Sequence, residues 1–163
     1  MTVSPSAAID LNTVQSFFTV VEFDSFSAVN SLMDKRDNIT AAGYHYFIAP
    51  TDVYGMQWNG TGGIATITGT GFDISANLLS ALSSRATKAT TATLYQNLTT
   101  TFTGSLGSPG TSVNAAALLI GAHKDDSSLD LFGHISEYAL LNILVSNDVL
   151  GKIVNNEKFF FAL

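Results

Sequence analysis

The chain has 163 residues and a mass of 17.2 kDa, with 46% hydrophobic residues and only 12% charged ones. Its net charge of −6 and pI near 4.7 speak against a nucleic-acid backbone as partner. The absence of cysteine excludes disulfides, thiolate catalysis and Cys-ligated metal.

This length makes one domain with a sizeable core. Thr, Ser, Gly and Asn fill the polar positions in place of Lys and Glu, which suits strands and turns. The opening MTVSPSAAIDLNTV has neither a basic nor an apolar leader region, so no Sec signal peptide is expected. No apolar run has the length of a membrane span. Residues 1–15 read as a weakly patterned N-terminal arm and 16–163 as the folded domain.

The first strong element is Ser16–Phe23, SFFTVVEF, whose unbroken apolar run predicts an inner strand covered on both faces. Phe26–Met33, FSAVNSLM, is the next strand, followed by the polar loop DKRDNITAAG. Tyr44–Ala49, YHYFIA, runs into the turn signal PTD. VYGMQWNG ends in Asn-Gly, and GGIATITGTG is a Gly/Thr strand. ANLLSALSSRA, residues 76–86, fits helical and strand spacing alike; the strand-like TKATTATLYQN behind it favours a hairpin. LTTTFTGS predicts a strand, LGSPGTSVN a loop, and ALLIGA and DLFGHISEYALLNIL two further strands. Ser146 then caps a helix, SNDVLGKIVNNE, with acids in its first turn, and KFFFAL closes the chain against the domain. Turns every 8–12 residues or so predict an all-β, antiparallel two-sheet jelly-roll sandwich with a short C-terminal helix.

Four stretches carry a resemblance. In Phe132–Ser146, FGHISEYALLNILVS, the residues Phe132, Gly133, Ile135, Glu137, Leu140, Asn142, Val145 and Ser146 fall on the closing strand of the concanavalin A-like (laminin-G/pentraxin-like) superfamily. LLIGAHKDDSSLDLF before it is similar to that family's preceding strand and hairpin, and TTATLYQNLT to its strand-and-turn motif, with Leu98 where Gly is usual. FFTVVEFDS, LMDKRD and GYHYFIA resemble its opening. The resemblance covers Phe17 to Glu157 and implies the same sandwich, with the closing strand and helix structural: Ile135, Leu140 and Val145 buried, and Gly133 without room for a Cβ. Only residues 1–15 precede the first core strand, fewer than the family's leading strands need. A sheet edge left open in this way is an aggregation liability, so the arm or that edge is expected to pack on another subunit.

Glucanases of the same superfamily use three carboxylates on one strand, Glu-x-Asp followed by Glu two or three residues on. Alternation or a bulge brings these to one face, and retention requires the nucleophile and acid/base about 5–5.5 Å apart. Glu22 and Asp24 match the beginning, but Phe26 and Ser27 stand where the acid/base is needed. No catalytic activity is expected, and β-glucan hydrolysis is the remotest reading. His45, His123 and His134 show no metal-ligand spacing. The resemblance implies rim calcium, for which Asp34, Asp37 and Asn38, or Asp125, Asp126 and Asp130, supply hard oxygen ligands; no other cofactor is expected. For sugar stacking, the only Trp, Trp58, stands between Gln57 and Asn59, with Tyr44, Tyr46 and Tyr54 nearby in sequence.

Two functional classes therefore stand ahead of the hydrolase. Short chains of this composition resemble phage virion proteins, which implies a non-catalytic structural subunit of a capsid, head fibre or tail. Such a subunit would be assembled in a host cytoplasm with other virion subunits or with copies of itself. The alternative is a carbohydrate-binding, lectin-like module, extracellular, with a cell-surface glycan as partner. Neither involves nucleic acid or membrane.

Overall fold

The computed structural model of the protein describes residues 1–4, 13–25, 28–36, 42–98, 100–124 and 127–161, the side chains of 100 and 157–161 excepted. The strands are β1 (Thr2–Val3), β2 (Val14–Phe23), β3 (Asn30–Asp34), β4 (Gly43–Ala49), β5 (Val53–Gly60), β6 (Gly63–Gly69), β7 (Leu79–Thr87), β8 (Thr91–Gln96), β9 (Thr100–Ser105), β10 (Leu118–Ile120) and β11 (Gly133–Leu141); one helix, α1 (Asn147–Phe161), follows. They form two antiparallel sheets, one of six strands in the order β1-β10-β3-β4-β5-β6 and one of five in the order β11-β2-β7-β8-β9. The fold is the expected antiparallel jelly-roll sandwich with a C-terminal helix. Of the ambiguous segment 76–86, residues 79–86 belong to strand β7, which forms a hairpin with β8.

Alternation builds the core. Tyr44, Tyr46, Tyr54, Met56 and Trp58 of one sheet face Phe17, Val21, Phe23, Leu82 and Leu94 of the other. Tyr46 stacks on Phe17 at 4.6 Å between ring centroids. Its hydroxyl accepts a bond of 2.8 Å from Ser84 across the sandwich.

The second apolar face of β2 has a different cover. Phe18 and Val20 pack with Ala81 of β7 under Val154 of α1, so the run SFFTVVEF lies between the opposite sheet and the helix. The helix is pinned at its start. Ser146 Oγ accepts the Val149 N–H at 3.3 Å, Tyr95 donates to Asn147 Oδ1 at 3.1 Å, and Val145 and Leu150 pack on Tyr95.

Hairpin turns follow local chemistry. Thr51 and Asp52 between β4 and β5 both have positive φ, 68° and 60°, as do Asn97 and Leu98 between β8 and β9, at 49° and 59°. The last paired residues are Ala49 with Val53 and Gln96 with Thr100, so each loop holds three residues, and successive positive φ values reverse the chain within them. Leu98, where the resemblance expects glycine, holds this conformation while packing against Tyr95 and Leu150.

The expectation for the closing strand is corrected in part. Strand β11 is the edge of the five-stranded sheet, so Ile135 and Leu140 are only half-buried, although Val145 is buried. A bulge between Ile135 and Glu137 keeps Ile135 and Tyr138, three residues apart, both on the core side. Gly133 does lack room: a Cβ there would lie 2.1 Å from the Glu22 carbonyl oxygen. The start of the arm is paired within the chain. Thr2 and Val3 pair with β10 of the same chain, and the Met1 amine donates to Ile120 O at 2.9 Å.

Candidate functional site

The outer face of the six-stranded sheet carries a row of polar side chains. Register places Asp34 of β3 opposite His45 of β4, His45 opposite Gln57 of β5, and Gln57 opposite Thr66 of β6. A bulge between Ser31 and Met33 sets the phase: Leu32 and Met33 both enter the core, and Asp34 returns to the outer face. Arg36, just past β3, folds back over the row, and His123 reaches it from the segment after β10.

Arg36 organises the cluster. Its Nε donates to Asp34 Oδ1 at 2.8 Å and Nη2 to Asp34 Oδ2 at 2.7 Å, a buried bidentate pair. Nη1 donates to Gln57 Oε1 at 2.9 Å. Nη2 also lies 2.9 Å from His123 Nε2. A guanidinium only donates, so in this contact the imidazole nitrogen accepts. His45 Nε2 lies 2.6 Å from Ser31 Oγ, and the ring stacks on Phe47 at 5.1 Å. Burial, with the Arg36 charge adding to it, pushes His45 down to about 3. Burial alone would raise the Asp34 carboxyl, but the Arg36 hydrogen bonds and charge outweigh it and hold the group below its usual range.

Above the row lies a pocket of about 330 Å3 with Arg36, His45, Gln57 and His123 at its polar side and Val29, Phe47, Ile64 and Leu129 as apolar walls. Phe47 lies flat because its cross-strand partner is Gly55; a Cβ there would come within 2.2 Å of the ring. The volume falls in the range of about 300–1,000 Å3 found for small-ligand sites. A second pocket of about 370 Å3, beside β10 and β11, is lined by Met1, Ile120, Leu131, Ile135 and Tyr138. Its Ser136 and Glu137 are exposed, and its Tyr138 hydroxyl and Met1 amine are engaged with Met33 Sδ and Ile120 O.

Of the expected sugar-binding residues, only Gln57 lines the outer pocket. Trp58, Tyr44 and Tyr54 are fully buried in the core, on the opposite side of the strands, and cannot offer a ring face to a sugar. Asn59 is likewise buried. Asp34, one of the residues expected to hold calcium, is bonded within the chain. Oδ1 accepts from the Arg36 backbone N–H and Nε, and Oδ2 from Arg36 Nη2 and the Lys124 N–H, so both oxygens are fully engaged. Asp37, Asn38, Asp125 and Asp126 lie outside the described residues. Asp130 Oδ1 accepts the His123 N–H at 2.7 Å and holds that segment in place.

Sequence spacing missed the grouping of Asp34, His45 and His123, whose ligand-type atoms lie within 4.8 Å of one another. The only signal was the DKR run beside a strand, and nothing local ties it to His123. The group is not a good metal site, because the Arg36 Nη2 already lies within hydrogen-bond distance of both Asp34 and His123. A metal ion would meet that positive charge at contact distance. Glu22 and Asp24 lie at the end of β2 in the other sheet, far from the row in topology, as the strand-end reading expected.

No protein-family model matches the sequence, and no curated protein matches it either. Solved structures share the fold at low identity. The CBM40 domain of the Ruminococcus gnavus IT-sialidase, bound to alpha2,3 sialyllactose, superposes with a TM-score of 0.74 at 13% identity, over 94% of this chain and 92% of that one. The binding domain of Paraclostridial Mosquitocidal Protein 1 gives 0.75 at 13% identity over 96% of this chain, and that of botulinum neurotoxin DC in complex with SialylT gives 0.71 at 10% over 95%. This chain spans only 40% and 39% of those two toxin chains. At such identities the likeness establishes the sandwich fold.

Proposed function

We propose that the protein is a non-catalytic glycan-binding domain that holds a sugar in the pocket on the outer face of its six-stranded sheet. One observation carries the reading: a pocket of monosaccharide scale has apolar walls and a few fixed polar groups at its floor, the composition that small-ligand sites require. Arg36 is locked by Asp34, and Gln57 by Arg36, so the floor is preorganised and little ordering entropy opposes binding. The sialyllactose-bound sialidase domain and the SialylT-bound toxin domain, which share this fold, support the reading. These neighbours support the lectin-like alternative better than the virion subunit, and the lectin-like reading is the one favoured. The glycan partner places the proposed site of action outside a cell.

The test is a glycan array probed with the wild type and with Ile64→Glu. Ile64 is 52% exposed at the pocket wall, so its replacement leaves the core intact. Binding by the wild type that the variant loses is the expected result. Binding that survives in Ile64→Glu places recognition elsewhere, and no binding at all refutes the proposal.

A further inference from the structure

The charges in this pocket are already matched from within. Arg36 directs four N–H groups to named partners: Nε and one of Nη2 to Asp34, the other of Nη2 to His123, and one of Nη1 to Gln57. The Asp34–Arg36 pair is electrically neutral and nearly fully buried. His123 accepts from Arg36 through Nε2, and buried His45 holds no charge at neutral pH. Among the described residues that line the pocket, an arriving carboxylate therefore meets no unmatched cation. To reach the guanidinium it must displace Asp34, leaving a carboxylate buried without its partner, or crowd a second carboxylate onto the same guanidinium. The chain's net charge of −6 adds repulsion at longer range.

Other features suit an uncharged ring. Val29, Ile64, Leu129 and the flat Phe47 ring offer apolar surface to its C–H faces. Gln57 accepts through Oε1 from Arg36, and its Nε2 has no partner among the described residues, so it remains a donor for a hydroxyl or an amide carbonyl.

We infer that the outer pocket selects a neutral sugar and discriminates against a carboxylate-bearing one such as sialic acid. This inference rests on the glycan-binding reading above and sets this chain apart in ligand charge from the fold neighbour bound to sialyllactose. The sandwich is shared, while the charge state of the pocket is decided by Asp34 and Arg36 in this sequence.

The experiment probes one set of sialylated glycans before and after enzymatic desialylation, with the wild type and with Asp34→Asn. The wild type is expected to bind the desialylated member of a pair about tenfold more tightly, the order of a single charge mismatch at an interface. Asp34→Asn removes the internal counter-charge, so the preference should shrink or reverse. Should Asp34→Asn fail to fold, as a thermal melt would reveal, the wild-type pair alone decides. Equal or tighter wild-type binding to the sialylated member overturns the inference while leaving glycan binding intact. Binding to neither member defeats both readings.

Discussion

His45 makes the protein's stability depend on pH in a window that can be calculated. The ring is buried on β4 and faces Asp34, Arg36, His123 and Ser31. Burial and then the Arg36 charge lower its pKa from 6.5 to about 3, with Asp34 opposing. Well above pH 6.5 the ring is neutral folded and unfolded, and the group contributes no pH dependence. Below that value the unfolded chain takes up a proton that the folded one refuses, so stability falls as pH falls toward 3. Each unit is worth about 1.4 kcal/mol once the unfolded ring is fully protonated, which gives a loss of about 2 kcal/mol between pH 7 and pH 5. Asp34 has the opposite origin: its lowered carboxyl contributes stability above its unfolded value of 3.8 that is lost only in stronger acid, so it stays out of this interval. Urea unfolding followed by the fluorescence of Trp58, the only tryptophan and fully buried, measures the change. The comparison is with His45→Gln, which keeps a polar group but cannot titrate. The wild type should lose about 2 kcal/mol more than the variant between the two pH values, a midpoint shift of roughly 1 M urea. His134 is common to both proteins and cancels; His123, whose ring centroid lies 5.2 Å from that of His45, couples to it, so the comparison is repeated in a His123→Gln background. Parallel losses in the two proteins would mean that His45 is not held neutral by burial, and the reasoning fails.

Arg36→Met should cost about 3–5 kcal/mol by leaving the Asp34 carboxylate buried alone, and most of that cost should return in the Asp34→Asn/Arg36→Met double variant; additive single effects in chemical denaturation would contradict the pairing. Because Leu140 is half-buried on an edge strand and Phe17 lies wholly in the core, Leu140→Ala should cost about 1–2 kcal/mol against about 3–5 for Phe17→Ala. Equal losses would show β11 to be central. Trp58 emission should be blue-shifted and resistant to acrylamide, and should stay so when a bound glycan is added; quenching at the rate of an exposed indole would restore it as a stacking platform.

The virion reading and the lectin reading began from the same composition, and the pocket separates them in favour of the second as a proposal. The hydrolase motif is incomplete in the residues themselves. Phe26 and Ser27 leave no third carboxylate, and β2 lies in the sheet away from the polar row.

Much of the architecture depends on local patterns and was therefore legible in the chain. Alternation and turn chemistry repeat over a few residues, so the β4–β5 hairpin with its Thr51–Asp52 turn and the Ser146 cap of α1 could be read directly. The doubly apolar β2 could be read as covered on both sides, though only the fold revealed that α1 is one of the covers. The site was not legible in the same way. Alternation puts Gln57 and Trp58 on opposite faces of β5, but a pattern of period two does not say which face is core. Packing of the second sheet decided that Trp58 goes in and Gln57 goes out. The polar row needs the register of β3, β4, β5 and β6, the bulge at Ser31–Met33, and a contact between Arg36 and His123, 87 residues apart. Sequence by itself determined which residues form strands and turns, because those preferences belong to neighbouring residues. Only the tertiary structure decided which side chains meet, because register and burial are set by contacts between segments distant along the chain.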